Sequence, residues 1–240
     1  MYPPARVRLP RHWRTRFALC CLCLAIPFAH ARAGFDPNMV DFSFTVGSLD
    51  YQWLDTGNMA RNTTVRKLTA GWMQPLASRL RGGLHLAYLD LTQPDNPLAA
   101  GQVTTGWGLG LSLDGLLLDG KRVQLLARLS FDYQSTRGET RDPAGNLQIS
   151  DISWGQTVGA LDLVIRPTAS LDILGGAEYV AIHGTQGNRG PVNTTWTFRN
   201  DLSAGYYGGL RLNLGVSGAI RITGYGGGRT GGRLTFSRQF

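Results

Sequence analysis

Two histidines, His85 and His183, are the only side chains beyond residue 33 whose ordinary proton affinity lies near neutrality. His183, with Asp90 and Asp151, could on paper supply the base and acids of a hydrolytic cleft. No spacing supports it: neither His-x-Ser nor His-Ser-Asn occurs, and structural or solvent-exposed histidine is the better reading. Cys20, Cys21 and Cys23 all lie in one apolar run near the start, which leaves no cysteine elsewhere for a disulfide or metal. The run Gly226 to Gly232 lacks the Lys and following helix of a phosphate loop and reads as a hairpin connection. The sequence therefore assigns no catalytic residue, metal or cofactor, and the expectation is a protein that is not an enzyme.

Charge spaced at alternate positions is the denser signal. Arg128 and Asp132 share a parity, as do Asp172 and Glu178, and as do Arg199, Asp201 and Arg211. With Lys67, Arg81, Arg221, Arg233, Asp114 and Asp162 they predict one polar face of a sheet. If that face lines a narrow interior, the charges must pair or meet water. The expected site is a lumen charge network of Arg81, Arg128, Asp132, Asp172, Glu178, Arg199, Asp201 and Arg211. Two uses stay open: an ion-pair filling that closes the lumen, and the lining of a narrow polar pore.

The elements that must hold these residues are strands. In Val103 to Asp114 one face is Val103, Thr105, Trp107, Leu109, Leu111 and Leu113, and the other is Thr104, Gly106, Gly108, Gly110, Ser112 and Asp114. That is period two over a length that crosses a bilayer as a tilted strand, about 9–11 residues. Val123 to Gln134 and Phe198 to Leu214 repeat the pattern, the latter as one long strand. Asp41 to Asp55 changes phase near Gly47, which predicts a β-bulge, and Trp154 to Arg166 also changes phase. Thr63 to Gln74, Leu80 to Leu91, Ser170 to His183, Gly218 to Tyr225 and the last segment bring the count to ten strands, with eight as the fallback. Thr56–Asn62, Thr92–Gln102, Thr136–Ile149 and Gly184–Thr195 read as long loops at one end, against short turns at the other. Tyr51, Trp53, Tyr88, Trp107, Tyr133, Trp154, Tyr179 and Phe198 would form an aromatic girdle at the loop end, and Trp72, Phe236 and Phe240 one at the turn end. A β-sandwich has no reason to sort aromatics by strand direction.

The beginning of the chain explains its charge. Residues 1–33 read as a secretory signal peptide: basic residues, an apolar run from Phe17 to Ala29 too short to span as a helix, then Ala31-Arg32-Ala33 before a cut at Gly34. The formal charge of +8 suggests nucleic acid, but six of the 24 Lys and Arg and none of the 16 Asp and Glu lie in this segment. The remainder holds 18 basic against 16 acidic residues, so nucleic acid is not an expected partner. Residues 34–240 form one domain, with no composition shift to mark a second.

The final alternation Leu234-x-Phe236-x-Arg238-x-Phe240, behind such a signal, resembles small bacterial outer-membrane β-barrels of the OmpA/OmpX-like class. Arg238 departs from the apolar residue usual there; a basic side chain at a membrane edge can snorkel. The resemblance implies an all-β, antiparallel, up-and-down transmembrane barrel in the outer membrane. Its partners would be outer-membrane lipid and lipopolysaccharide, with the barrel assembly machinery reading Leu234, Phe236 and Phe240 as the insertion signal. An omptin-like protease would need a histidine and several acids around an outer cleft, but the omptin motifs are absent and none of His183, Asp90 and Asp151 lies in a recognisable family pattern. Expected roles are structural, adhesive or stress-related at the surface, with a narrow channel or an outer-membrane hydrolase as alternatives; oligomeric state is left open.

Overall fold

The computed structural model describes residues 35–96, 102–141, 145–191, 193–215 and 217–240. The signal segment of residues 1–33 lies outside them. The described chain is all β, in eleven strands: β1 (Asp41–Asp55), β2 (Ala60–Ala77), β3 (Leu80–Thr92), β4 (Val103–Asp119), β5 (Val123–Arg141), β6 (Leu147–Ile165), β7 (Leu171–Arg189), β8 (Thr194–Asn200), β9 (Ala204–Leu214), β10 (Gly218–Gly227) and β11 (Thr230–Gln239). Consecutive strands pair antiparallel except β8 and β9, which both pair with β7, and β11 returns to β1, from Asp41↔Gln239 to Asp50↔Thr230. Full closure leaves no free edge, so every ladder donor and acceptor can be paired inside a bilayer.

The ring changes its strand number along its axis. At the end where β1 starts and β11 finishes, called proximal here, ten strands close the barrel, β9, β10 and β11 lying between β7 and β1. The β10–β11 hairpin is short and turns at residues 228–229. Distal to it, β8 bridges β7 and β1 directly, through His183↔Arg199 on one side and Trp53↔Asn200, Leu54↔Arg199 and Asp55↔Phe198 on the other. Ten strands therefore narrow to eight. The two expected counts describe two levels of one barrel.

The long segment Phe198 to Leu214 is not one strand. Asp201–Ser203 break it into β8 and β9, and the backbone amide of Asp201 donates to the Gln52 carbonyl oxygen at 2.9 Å. Phe198 and Asn200 face the interior, whereas Ala204 and Tyr206 face out, so the break inverts the parity. By contrast, neither expected phase change exists. β1 runs in unbroken register from Asp41↔Met73 to Leu54↔Ala60, and β6 from Ile165 to Leu147 against β5. The register shifts that do occur lie between Pro75 and Ala77 and between Leu116 and Leu118, at the proximal ends of β2 and β4.

What changes near Gly47 is the environment on either side of the sheet. Phe42, Phe44 and Val46 face outward and are about half exposed; Ser48, Asp50 and Gln52 continue that face as polar residues. Leu49, Tyr51 and Trp53 continue the inner face as buried apolar residues. The outward apolar band is thus confined to the proximal part, where lipid would contact it, and beyond it the sheet carries Thr64, Arg66, Asp90, Arg137, Asp151, Ser153 and Arg199 outward. Strands β5, β6 and β7 have 19 residues each, nearly twice the roughly 9–11 that cross a bilayer. Much of each expected long loop, in Thr136–Ile149 and Gly184–Thr195, is this strand extension.

The aromatics are divided accordingly. Tyr88, Trp107, Tyr133 and Tyr179 face outward at the distal edge of the apolar band, where the Trp107 and Tyr133 rings lie 5.9 Å apart. Tyr51, Trp53, Trp154 and Phe198, expected in the same girdle, are buried inside the barrel. At the proximal edge Phe42 pairs with Trp72 across the sheet and meets Phe240 edge-on at 5.7 Å, with Phe236 beside Phe44.

Candidate functional site: the lumen

The inner face is layered along the axis. Its proximal layer is charged. Arg81 donates from Nε and Nη2 to Asp114 Oδ2 at 3.1 and 2.8 Å and from Nη1 to Asp41 Oδ2 at 3.0 Å. Arg128 donates from Nε to the other Asp114 oxygen at 3.3 Å and pairs with Asp162. Asp114 on β4 stands between Arg81 on β3 and Arg128 on β5, each its direct cross-strand neighbour. Nearer the middle, Asp132 Oδ1 accepts from Lys67 Nζ at 3.0 Å and lies 2.7 Å from His85 Nε2.

One pair is buried at mid-height. Arg229 reaches inward from the β10–β11 turn and binds Glu178 of β7 with two parallel bonds, Nε to Oε1 and Nη2 to Oε2, each 2.6 Å. Both side chains are almost fully buried, and the guanidinium lies 4.6 Å from the centre of the Tyr225 ring. The fork geometry of guanidinium and carboxylate makes this the strongest kind of ion pair a protein builds. Gly227 and Gly231 flank the turn with φ of +87° and +128°, a backbone conformation open to glycine and costly elsewhere. A Cβ at Gly231 would stand 2.2 Å from the Ser48 carbonyl oxygen. The glycine-rich run thus shapes a tight turn that delivers an arginine into the lumen.

Above this pair the interior is apolar. Leu49, Tyr51, Trp53, Val65, Leu89, Leu91, Ile152, Trp154, Val158, Val180, Ile182 and Phe198 form one buried cluster across the eight-stranded level. Trp53, only 1% exposed, stacks on Phe198 at 4.2 Å and 11° and meets Trp154 at 5.4 Å. Eight strands enclose a space that side chains can fill, and here large ones fill it. At the distal rim the inner face becomes neutral and polar. Thr104 donates to Thr136 at 2.9 Å, Asn96 to Gln93 at 2.9 Å, and Gln93 to Thr63 at 3.3 Å.

Of the expected network, Arg81, Arg128, Asp132, Asp172, Glu178 and Arg211 face the interior. Arg199 and Asp201 do not: both are exposed, because the break after Asn200 sets them on the opposite parity from Arg211. Sequence reasoning missed Arg229 because it lies in a glycine run read as loop. It also missed the apolar layer, whose signal was present in the inner-parity positions Leu49, Tyr51 and Trp53. Leu234, Phe236 and Phe240 all face outward on β11 or just beyond it. His183, Asp90 and Asp151 are not brought together. His183 and Asp151 lie on neighbouring strands but four positions apart in register (Gly155↔His183, Asp151↔Gly187), roughly 13 Å at a strand's rise per residue. Asp90 lies three strands away on β3, and Asp151 is engaged by Arg189 at 3.0 Å. Among the described residues no group of His, Cys, Asp and Glu is placed to hold a metal ion.

No protein-family model matches this sequence, and no curated protein is significantly similar to it. Solved structures do resemble the fold. The outer-membrane protease OmpT of Escherichia coli superposes with a TM-score of 0.50 at 9% identity, over 88% of this chain and 96% of that one. The translocator domain of the autotransporter NalP from Neisseria meningitidis does so with a TM-score of 0.50 at 11% identity, over 95% and 96%. At such identities the likeness is one of fold, and that fold is the bacterial outer-membrane β-barrel.

Proposed function

We propose that the chain is an outer-membrane β-barrel protein of a closed, non-enzymatic kind, whose work is done at the cell surface by its distal, polar half. The observation that carries this reading is Trp53, stacked on Phe198 and wedged against Trp154 across the narrow level of the lumen. A pore would need water through that layer, and large apolar side chains occupy it. The second support is the polar outward face beyond the lipid band, which lifts the rim and loops away from the bilayer to present them to a ligand or a neighbouring surface. A hydrolytic role for His183 draws no support, since its acids are not assembled around it. The partners we propose are outer-membrane lipid around the apolar band and, during insertion, the assembly machinery acting on β11 with Phe236 and Phe240.

Planar-bilayer recording tests closure. The wild-type protein should show conductance near the background, and the double substitution Trp53→Ala with Trp154→Ala should open measurable single-channel steps. Steady wild-type conductance of porin size would overturn the reading.

A further inference from the structure

The charged layer of the lumen has more cations than carboxylates to serve them. Most inward acids are engaged, although Asp41 Oδ1, Asp162 Oδ1 and Asp172 Oδ1 are each buried without a hydrogen-bond partner. Asp41 and Asp114 hold Arg81; Asp114 and Asp162 hold Arg128; Asp132 holds Lys67 with His85; Glu178 holds Arg229. Asp172 stands 3.9 Å from both Arg166 and Arg211, too long for a hydrogen bond to either. Arg221 and Arg233 have no carboxylate within ion-pair distance among the described residues; Arg233 has only the Tyr225 ring, at 5.2 Å. Arg211 Nε is buried without a hydrogen-bond partner.

These three arginines are neighbours. Arg211 on β9 and Arg221 on β10 are direct cross-strand partners on the inner face, and Arg233 on β11 is the diagonal neighbour of Arg221, whose own partner is Thr235. Like charges directly opposite each other destabilise a sheet. A guanidinium in a confined interior is costly unless something negative meets it. All three line one cavity of about 290 Å³, shared with the engaged Asp114, Asp132 and Glu178, which runs from Asp41 and Gln239 at the proximal mouth to Tyr51 and Trp154 at the base of the apolar layer. That volume suits a small solute. The fork of guanidinium donors matches the oxygens of phosphate.

We propose that Arg211, Arg221 and Arg233 form a binding site for a phosphate group, reached from the proximal mouth of the lumen. The phosphate is either that of a free anion or that of a lipid head group entering by the same mouth. The proposal does not depend on the surface role of the distal half.

The full barrel, purified in phosphate-free buffer and non-ionic detergent, is melted with and without inorganic phosphate at constant ionic strength. Phosphate should raise the unfolding midpoint where chloride does not, and titration calorimetry should give about tenfold weaker phosphate binding for Arg221→Met. Without phosphate, Arg221→Met should melt at or above the wild type, because an unpartnered charge has been removed; Arg233→Met serves as the second variant. A nanodisc arm separates the sources. If head groups occupy the site, phosphatidylglycerol discs raise the midpoint and suppress phosphate binding, whereas phosphatidylcholine discs leave a free-anion site responsive. A wild-type midpoint indifferent to both phosphate and phosphatidylglycerol overturns the proposal. So does a phosphate shift undiminished in Arg221→Met and Arg233→Met, or a marked loss of stability in phosphate-free Arg221→Met.

Discussion

Arg229 is one side chain on a two-residue turn, yet its bond to Glu178 ties the β10–β11 hairpin to β7, past the end of β9. Truncating it strands a carboxylate in an interior that admits little water, at a cost of about 3–5 kcal/mol. Arg229→Ala should therefore lower the urea midpoint of the refolded barrel strongly. Arg199→Ala, on the exposed face, should change stability by less than about 0.5 kcal/mol. Parity made Arg128, Asp132 and Arg81 legible, because each sits in a strand whose phase is constant. Arg229 was not legible by that rule. It leaves the ladder at a turn, and its inward aim is set by glycine backbone and by where the hairpin ends.

At the scale of the element, the informative feature is the joint between β8 and β9. The Asn200 side chain ties it to β7. Its Oδ1 accepts from the Ile182 amide at 2.9 Å, and its Nδ2 donates to the Val180 carbonyl oxygen at 2.7 Å, with Leu202 O and Ser203 Oγ at 3.1 Å. The amide substitutes for ladder bonds that the break removes from β7. Asn200→Ala should leave buried backbone groups unmet, at about 1–3 kcal/mol, and should speed hydrogen exchange at Ile182 relative to Leu89 on β3. Such a joint has no periodic signature. A short insertion that reverses parity is invisible when both flanks alternate well, as Thr194–Asn200 and Ala204–Leu214 do. The opposite error has a physical cause too. Alternation was taken to mean apolar outward, a rule that holds only within the bilayer. In β1 and β6 the apolar side moves inward as the strand leaves the lipid, and the unbroken register there imitates a bulge.

For the molecule as a whole, the two true girdles fix where the bilayer lies, and the expected direction of insertion puts the distal rim outside the cell. Trypsin added to intact cells should then cut at Arg141 or Arg189, exposed at the distal ends of β5 and β7. Mass spectrometry that finds cuts only at Lys121 or Arg166, beside the proximal turns, would reverse the orientation. The all-β barrel and the outward aromatics Tyr88, Trp107, Tyr133 and Tyr179 were readable because lipid imposes a period-two code along each strand. The inward turn of Tyr51, Trp53, Trp154 and Phe198 was not, because they lie beyond the lipid band. The narrowing from ten to eight strands was not, since it arises from the relative heights of hairpins that lie far apart in the chain.

That narrowing has a further consequence. If the eight-stranded level is closed, as proposed, the ten-stranded level beneath it is a vessel with one mouth. A solute inside exchanges with a single compartment. No concentration difference between the two sides of the membrane can drive it through, and its occupancy follows the composition of the fluid at the mouth alone. A barrel closed in this way would sample one side of its membrane while standing on the other.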